Sequence, residues 1–286
     1  MYSIDNTLII YFISLLILVG SCICIIYLLL KYSKAEPIDN HIYTFDLSLL
    51  VICKNESMII HEFIEHYKWQ GVEHIYLIDN DSTDNMKDVI QKEIYDGYIS
   101  YYYMPEKHKQ IEHYNTVYKN IRNETKWLIV CDADEFIYNI RENNTILSYI
   151  NRLDDSVNSI ELPWKLFGSS GHKIQPKSIR TSFIWRQKDD DKDFKNIVRT
   201  KNTTALEIHE HEHTKNSYKI INPYELKLNH YAIMSEEYFK EIKMSRGDVN
   251  TDKFETIRDM TYFEKYDKNG SEYKDEELKN LVELQK

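Results

Sequence analysis

The sequence predicts an α/β protein built on a largely parallel sheet and preceded by one apolar helix. Short apolar runs typical of buried strands alternate with stretches whose apolar residues recur at helical spacing, and this alternation favours a parallel sheet. The chain has 286 residues, of which 42% are hydrophobic, so it can build a substantial core. We find no internal repeat, and we expect residues 41–286 to form one domain.

An almost unbroken apolar run from Leu8 to Leu30 comes first. It is long enough for a membrane span, since about 20 helical residues cross the hydrocarbon layer. The residues before it include no Lys or Arg, so we expect an uncleaved anchor rather than a signal peptide. Lys31 and Lys34 follow the run, which favours a cytosolic position for the rest of the chain. Residues 1–40 are therefore expected to be a single-pass membrane anchor with a short linker around Ala35–Asn40.

Four apolar runs predict the strands of the first half of the domain. They are rich in β-branched and aromatic residues and are bounded by turn residues. The predicted strands are Leu47–Cys53, His74–Ile78, Ile99–Met104 and Trp127–Cys131.

Helical patterns separate these strands. The first helix has Ile60, Phe63 and Tyr67 on one apolar face and stops at Gly71. The next helix is expected to be capped within Asp81–Asp84 and to run through Ile94, and a third spans Gln110–Ile121. Beyond Asp154 the pattern predicts a strand at Ser159–Leu162, a Gly-Ser-rich loop, strands near Ile197 and Ile208, and a polar helical tail from about Ser235.

The charge balance limits the choice of partners. Lys and Arg total 36 against 46 Asp and Glu, which gives a formal net charge of -10. No long basic run is present that could follow a phosphate backbone. We therefore expect no nucleic-acid partner.

Polar side chains follow three of the predicted strands at the point where each ends. In open α/β sheets, ligands bind outside the carboxyl ends of the strands, so these groups should face one crevice. The three segments are Lys54-Asn55-Glu56, Asp79-Asn80-Asp81 and Asp132-Ala133-Asp134-Glu135.

Of these three segments, the one that contains Asp132 and Asp134 has the most specific pattern. Two carboxylates directly after a buried strand can bind a hard divalent cation such as Mn²⁺ or Mg²⁺ and leave positions for phosphate oxygens. Such a cation would neutralise the charge that develops on a departing diphosphate. A solvated turn is the simpler explanation of an isolated Asp-X-Asp pattern.

Several motifs follow one another along the chain in a recognisable order. They are Cys53-Lys54-Asn55-Glu56 with Glu62 and His66, Gly71-Val72, Ile78–Asp84, Cys131–Phe136, Trp164–His172, Lys195–Arg199, and Asn229-His230-Tyr231 with Ser235 and Phe239. Together they resemble family-2-like and family-92-like glycosyltransferases with the GT-A fold, and the resemblance extends from about Leu47 to Gly247. It implies a Rossmann-like nucleotide-sugar-binding domain with a mostly parallel mixed sheet.

The resemblance implies a sugar transferase that uses a nucleotide-diphosphate donor, by default a UDP-sugar. The acceptor would be a hydroxyl of a glycan, glycoprotein or glycolipid, and inversion at the transferred sugar is expected. Asp79 would contact the nucleotide, with Asn55 and Glu56 beside it. Asp132 and Asp134 would serve the metal and the diphosphate.

The resemblance also implies roles for three residues of the second half. His209 lies where related enzymes often place a further histidine directed at metal or phosphate. Lys195 and Arg199 are candidate counter-charges for the diphosphate, although basic residues on strands are often simply solvated.

The catalytic base remains open at this stage. An inverting transfer needs a carboxylate or imidazole beside the acceptor hydroxyl. Glu135, Glu161 and His172 are the candidates, of which we favour Glu135 and His172.

The run His209-Glu210-His211-Glu212-His213 supports a different hypothesis. On a strand, these three histidines would share one face, and a His-X-His pair can chelate zinc. A zinc hydrolase is therefore an alternative enzyme, and a non-catalytic carbohydrate-binding protein is the non-enzymatic alternative. Neither alternative explains the acidic ends of the strands as well as a glycosyltransferase does.

Overall fold

The structure is a computed structural model that describes residues 6–32, 41–214, 218–246 and 258–285. The chain divides into two compact units, Met1–Ile42 and Tyr43–Lys286. Lys34, the predicted linker Ala35–Asn40 and Gly247 lie outside the described residues.

The first unit contains one long helix, α1 (Asn6–Tyr32), which covers the predicted span Leu8–Leu30. Its side chains are described for residues 14–27, and these are exposed. Within the described part of the chain, no helix is both long and apolar enough to cross a membrane. On this finding, the prediction of a single-pass membrane protein with an N-terminal anchor is wrong.

The second unit is built on a mixed sheet, in which nine strands are found among the described residues. The strand order is β3-β2-β1-β4-β8-β6-β12-β5, and β11 pairs with β6 beside this path. The strands are β1 (Phe45–Cys53), β2 (His74–Asp79), β3 (Ile99–Tyr103), β4 (Thr125–Val130), β5 (Glu135–Asn139), β6 (Val157–Leu166), β7 (Trp185–Arg186), β8 (Phe194–Arg199), β9 (Thr203–Ala205), β10 (Glu212–His213), β11 (Tyr218–Ile221), β12 (Leu226–His230) and β13 (Tyr273–Lys274).

Helices lie between the strands and follow them. A 3₁₀ turn covers Thr200–Asn202, and a π-helical turn covers Phe239–Lys243. The α-helices of this unit are α2 (Ile60–Trp69), α3 (Met86–Val89), α4 (Gln91–Tyr95), α5 (Gln110–Ile121), α6 (Ile146–Ile150), α7 (Ile179–Ser182), α8 (Glu236–Tyr238), α9 (Met260–Asn269) and α10 (Glu277–Glu283).

The sheet is parallel in its first half and mixed in its second. The four strands β3, β2, β1 and β4 pair in parallel. The strand β8 then runs antiparallel to both β4 and β6, and β5 runs antiparallel to β12 at the far edge. The carboxyl end of β4 therefore lies beside the start of β8, where Val130 pairs with Asn196.

The alternation of β1 explains the packing of the sheet between two helical layers. Successive side chains of a strand point to opposite faces. Leu49 packs in the large core that contains Phe63 of α2, whereas Leu50 packs in the second core with Tyr114 and Val117 of α5. All of these side chains are buried, so both faces of the central strands are covered.

Two predicted elements differ from the structure. The helix expected up to Ile94 is split into α3 and α4, and the residues before it form a loop. In that loop, Asp84 accepts hydrogen bonds from the backbone N–H groups of Ser57 and Met86, at 2.9 and 3.1 Å. The strand expected near Ile208 is absent, because Ile208 lies in the connection between β9 and β10.

Two glycines hold the loop after β6 against the end of α9. A Cβ atom on Gly270 would lie 2.3 Å from the backbone nitrogen of Gly168 and 2.5 Å from its Cα. The backbone at Gly270 has φ -76°, which any residue adopts. Space, not conformation, therefore requires glycine at this position.

Candidate active site

A cleft of about 510 Å³ opens at the carboxyl ends of β1 and β4. Residues from the loops after β1, β2, β4 and β12 meet there with residues of the second half of the chain. The described residues that line it are Ile52, Cys53, Lys54, Glu56, Asn80, Lys107, His108, Gln110, Asp132, Ala133, Asp134, Trp164, Leu166, Asp191, Asp193, Ile208, His209, His230, Ala232, Lys243, Ser245, Arg246, Arg258, Tyr262 and Tyr266.

Asp132 lies in this cleft and is held by an ion pair. Its Oδ2 is 2.9 Å from the Nζ of Lys195, and its backbone N–H donates to Oε2 of Glu135 at 2.8 Å. The Asp132 side chain keeps 36% of its surface exposed. One end of this carboxylate is thus fixed while the group stays accessible from the cleft.

Asp134 lies deeper and has two basic neighbours. The Nζ of Lys243 donates to its Oδ2, and Nε2 of His230 lies 3.7 Å from the same oxygen. Burial by itself would raise the pKa of Asp134, but Lys243 and His230 hold that pKa well below its ordinary value. The carboxylate is therefore ionised at neutral pH.

Glu135 is fully buried beneath Asp132 and is not among the described residues that line the cleft. Burial raises the pKa of its carboxyl group well above the ordinary value. Its Oε2 accepts the N–H of Asp132, and Lys195 lies 3.9 Å away. In this position Glu135 orients Asp132, and its own carboxyl group does not face an acceptor hydroxyl in the cleft.

Glu56 forms an ion pair with an arginine and accepts a hydrogen bond from a tyrosine. Its Oε1 lies 2.6 Å from Nη2 of Arg246, and the hydroxyl of Tyr238 donates to Oε2. Nη1 of Arg246 donates to the carbonyl of Lys54 at 2.8 Å. The loop after β1 is therefore tied to the segment after β12.

Asn55 and Asp79 shape two loops beside the cleft. Asn55 has a positive φ of 57°, and its side-chain oxygen accepts the N–H of Thr83 at 2.7 Å. Asp79 accepts the N–H of Ser82 at 2.9 Å and the hydroxyl of Tyr101. Neither Asn55 nor Asp79 is among the described lining residues.

The two predicted counter-charges lie at opposite ends of β8. Lys195 is buried against Asp132, whose charge, with that of Glu135, raises its pKa above the ordinary value although burial lowers it. Arg199 contacts Asp155 at 3.1 Å and lies over the ring of Trp127. Because β8 is antiparallel, Arg199 lies at the start of β4, away from the cleft. This placement does not support a diphosphate role for Arg199.

The three histidines of the predicted cluster have different surroundings in the structure. The imidazole of His209 lines the cleft, and its Nδ1 donates to the carbonyl of Phe194 at 2.9 Å, which leaves Nε2 as the acceptor nitrogen. His211 is buried, accepts the N–H of Glu207 at 2.9 Å and has a pKa that burial lowers to about 3. His213 bonds to the hydroxyl of Thr203.

No group of three or more metal-ligating side chains occurs among the described residues. The zinc hydrolase hypothesis therefore finds no support in this part of the chain.

The other candidate bases lie elsewhere. Nε2 of His172 donates to the carbonyl of Ser182 at 3.1 Å, and Glu161 pairs with Lys219 at 2.7 Å. Neither His172 nor Glu161 is among the described residues lining the cleft.

Sequence reasoning assigned no role to His230, Lys243 or Arg246, which the structure places in the cleft. His230 belongs to the motif Asn229-His230-Tyr231, which was a usable signal. Lys243 and Arg246 carried no local signal, because they lie in a stretch that the sequence predicted to be a polar helical tail.

The donor set of the cleft fits a divalent cation that shares its ligands with a phosphate group. Asp132 and Asp134 supply hard oxygen donors, and a Mg²⁺-type site needs only one or two carboxylates when substrate phosphates complete it. The five Lys and Arg side chains of the lining match its five Asp and Glu side chains in number. A bound diphosphate would therefore add net negative charge that a cation could neutralise.

Fold and site together define a class of protein: a mixed α/β domain with an acidic and basic cleft at the carboxyl edge of its sheet. The model of glycosyltransferase family 92 matches residues 52–283, and the chain belongs to that family.

Curated relatives agree with this assignment. A glycosyltransferase family 92 protein of Ricinus communis is 26% identical over 211 residues, which cover 68% of this chain and 36% of the relative. Another family 92 protein, of Oryza sativa subsp. japonica, is 23% identical over 203 residues, covering 68% and 34%. The chain thus aligns with about a third of the length of these relatives.

Among solved structures, Staphylococcus aureus TarS 1–349 matches with a TM-score of 0.38 and 18% identity, over 55% of this chain and 47% of that one. TarS has also been solved with UDP-GlcNAc. So low a score carries no functional information about this chain.

Proposed function

We propose that this glycosyltransferase moves a sugar from a nucleotide-diphosphate donor, by default a UDP-sugar, to a hydroxyl of a glycan, glycoprotein or glycolipid, with inversion and with the help of Mn²⁺ or Mg²⁺. The observation that carries the proposal is the pair Asp132 and Asp134 in a charge-balanced cleft at the carboxyl edge of the sheet. Screening the full chain for metal-dependent hydrolysis of a panel of nucleotide sugars tests it. Absence of turnover with every donor would contradict it.

Different residues would hold the cation, orient its ligand and support the loops beside the cleft. Asp132 and Asp134 would hold the cation, which supplies Lewis-acid stabilisation of the leaving diphosphate when bound. His209 lines the same cleft and would contact the cation or a phosphate oxygen once the donor is bound. Glu135 orients Asp132 through the backbone hydrogen bond at 2.8 Å. Asn55 and Asp79 support the loops on the nucleotide side through the bonds described above.

The first prediction concerns metal-dependent binding. A nucleoside diphosphate such as UDP is expected to bind the full chain more than about tenfold more tightly with Mn²⁺ or Mg²⁺ than with EDTA, because the cation bridges carboxylates and phosphate. Isothermal titration calorimetry measures the difference. Equal affinities in the two buffers would remove the bridging role of Asp132 and Asp134.

A second prediction separates the histidines. His209→Ala is expected to lower kcat/KM by about a hundredfold, because its acceptor nitrogen is lost from the cleft. His213→Ala should change the rate little, and His211→Ala should mainly lower the melting temperature, since it removes a buried ring and leaves the N–H of Glu207 without its acceptor. Steady-state kinetics and thermal unfolding of the three variants provide the comparison. Wild-type kinetics for His209→Ala at saturating metal would contradict the assignment.

A further inference from the structure

We propose that Lys243 and Arg246 form a diphosphate clamp, a pair of cations that binds the two phosphates of the donor. This inference rests on the proposed function and assigns the part of the site that recognises the diphosphate. Both side chains line the cleft and come from one short segment at and after the π-helical turn Phe239–Lys243.

The two cations are fixed by buried carboxylates. Lys243 donates to Asp134, whose side chain is 6% exposed, and Arg246 contacts Glu56, whose side chain is 3% exposed. Ion pairs of this kind hold a long side chain in one orientation and reduce the entropy that binding would otherwise cost. Glu56 and Asp134 thus act as positioning residues for the clamp.

Both cations retain donors for a ligand. Within the described residues, hydrogen bonds are found from Lys243 to Asp134, and from Arg246 to Glu56 and the carbonyl of Lys54. An ammonium and a guanidinium each carry more N–H donors than these contacts use. Charge-assisted hydrogen bonds to phosphate oxygens can use the rest, since both groups face the cleft.

The geometry of the segment favours one shared ligand. A π-helical turn inserts an extra residue into the helical repeat, and such turns are frequent at functional sites. Here it begins directly after Tyr238, which bonds to Glu56, and ends at Lys243, which bonds to Asp134. The segment therefore bridges the carboxyl ends of β1 and β4, between which a diphosphate near Asp132 would lie.

The other basic residues near the carboxylates are less suited to this role. Lys195 pairs with Asp132 and is not among the described residues that line the cleft, and Arg199 lies at the far end of β8. Lys54 pairs with Asp81 at 3.6 Å. Of the five Lys and Arg side chains among the described lining residues, Lys243 and Arg246 are the two that pair with buried carboxylates.

Inorganic pyrophosphate is the probe, because it contains the diphosphate without an unknown base or sugar. Calorimetric titration of the full chain in EDTA is expected to show binding that weakens by about tenfold to a hundredfold in Lys243→Met and in Arg246→Met. Lys227→Met is the matched control, because Lys227 is a half-buried lysine outside the cleft that bonds to Asn222 and Pro223. It should bind pyrophosphate as the wild type does.

Removing Lys243 alone leaves the Asp134 carboxylate buried without its cation, so that variant can fail to fold. The double variant Lys243→Met with Asp134→Asn removes both charges and is expected to show the same loss of pyrophosphate binding. Wild-type affinity in folded variants, or no binding by the wild type, would overturn the clamp. Hydrolysis of a nucleotide sugar by the wild type is measured separately, so the proposed function can stand when the clamp fails.

Discussion

Asp134→Asn is expected to lower kcat/KM for sugar transfer by about a thousandfold. Asparagine keeps the shape of the side chain but loses the charge that a divalent cation requires, and a lost electrostatic contact in the transition state costs about 3–4 kcal/mol. Steady-state kinetics at saturating Mn²⁺ measure the effect. Asp155→Asn is the matched control, because Asp155 is an exposed aspartate that pairs with Arg199.

The same substitution leaves Lys243 buried without its anion, so stability must be measured alongside activity. Breaking a buried ion pair from one side costs about 3–5 kcal/mol. Adding Lys243→Met to Asp134→Asn is expected to restore much of the free energy of unfolding and none of the activity. Recovery of activity in the double variant would show that the single variant failed by misfolding.

Gly270→Ala is expected to lower the free energy of unfolding by about 3 kcal/mol or more. The new methyl group would lie 2.3 Å from a backbone atom of Gly168, and backbone cannot rotate away as a flexible side chain can. Gly171→Ala is the control, since Gly171 has φ +79° with no atom within 4 Å, so only the backbone preference of about 1 kcal/mol opposes alanine. Urea denaturation of both variants gives the comparison, and equal losses would contradict the steric explanation.

The first half of the sheet could be predicted from the sequence because its strands are buried on both faces. The runs Leu47–Cys53 and His74–Ile78 became β1 (Phe45–Cys53) and β2 (His74–Asp79). The helix predicted at Gln110–Ile121 has those bounds in α5. A continuous apolar run or a clear helical period is a local property, so neighbouring residues suffice to predict it.

The second half could not be predicted in the same way. The place of β8 between β4 and β6 depends on pairings such as Val130 with Asn196, which join residues far apart in the sequence. Nothing local distinguishes Lys195 from Lys243, and both are buried, yet only Lys243 is among the described residues that line the cleft. The tail predicted to be polar buries Tyr238 and Phe239 because it packs beside this site.

The two residues of each of these ion pairs come from distant parts of the chain, and this affects folding during translation. The ribosome synthesises Glu56 and Asp134 long before Lys243 and Arg246, their partners in the finished protein. Until that later segment leaves the ribosome, burying either carboxylate would place a charge without its partner in a low-dielectric interior. The parallel strands β1 to β4 can pair during translation, but the carboxyl edge of the sheet has to stay hydrated until the segment through Arg246 arrives.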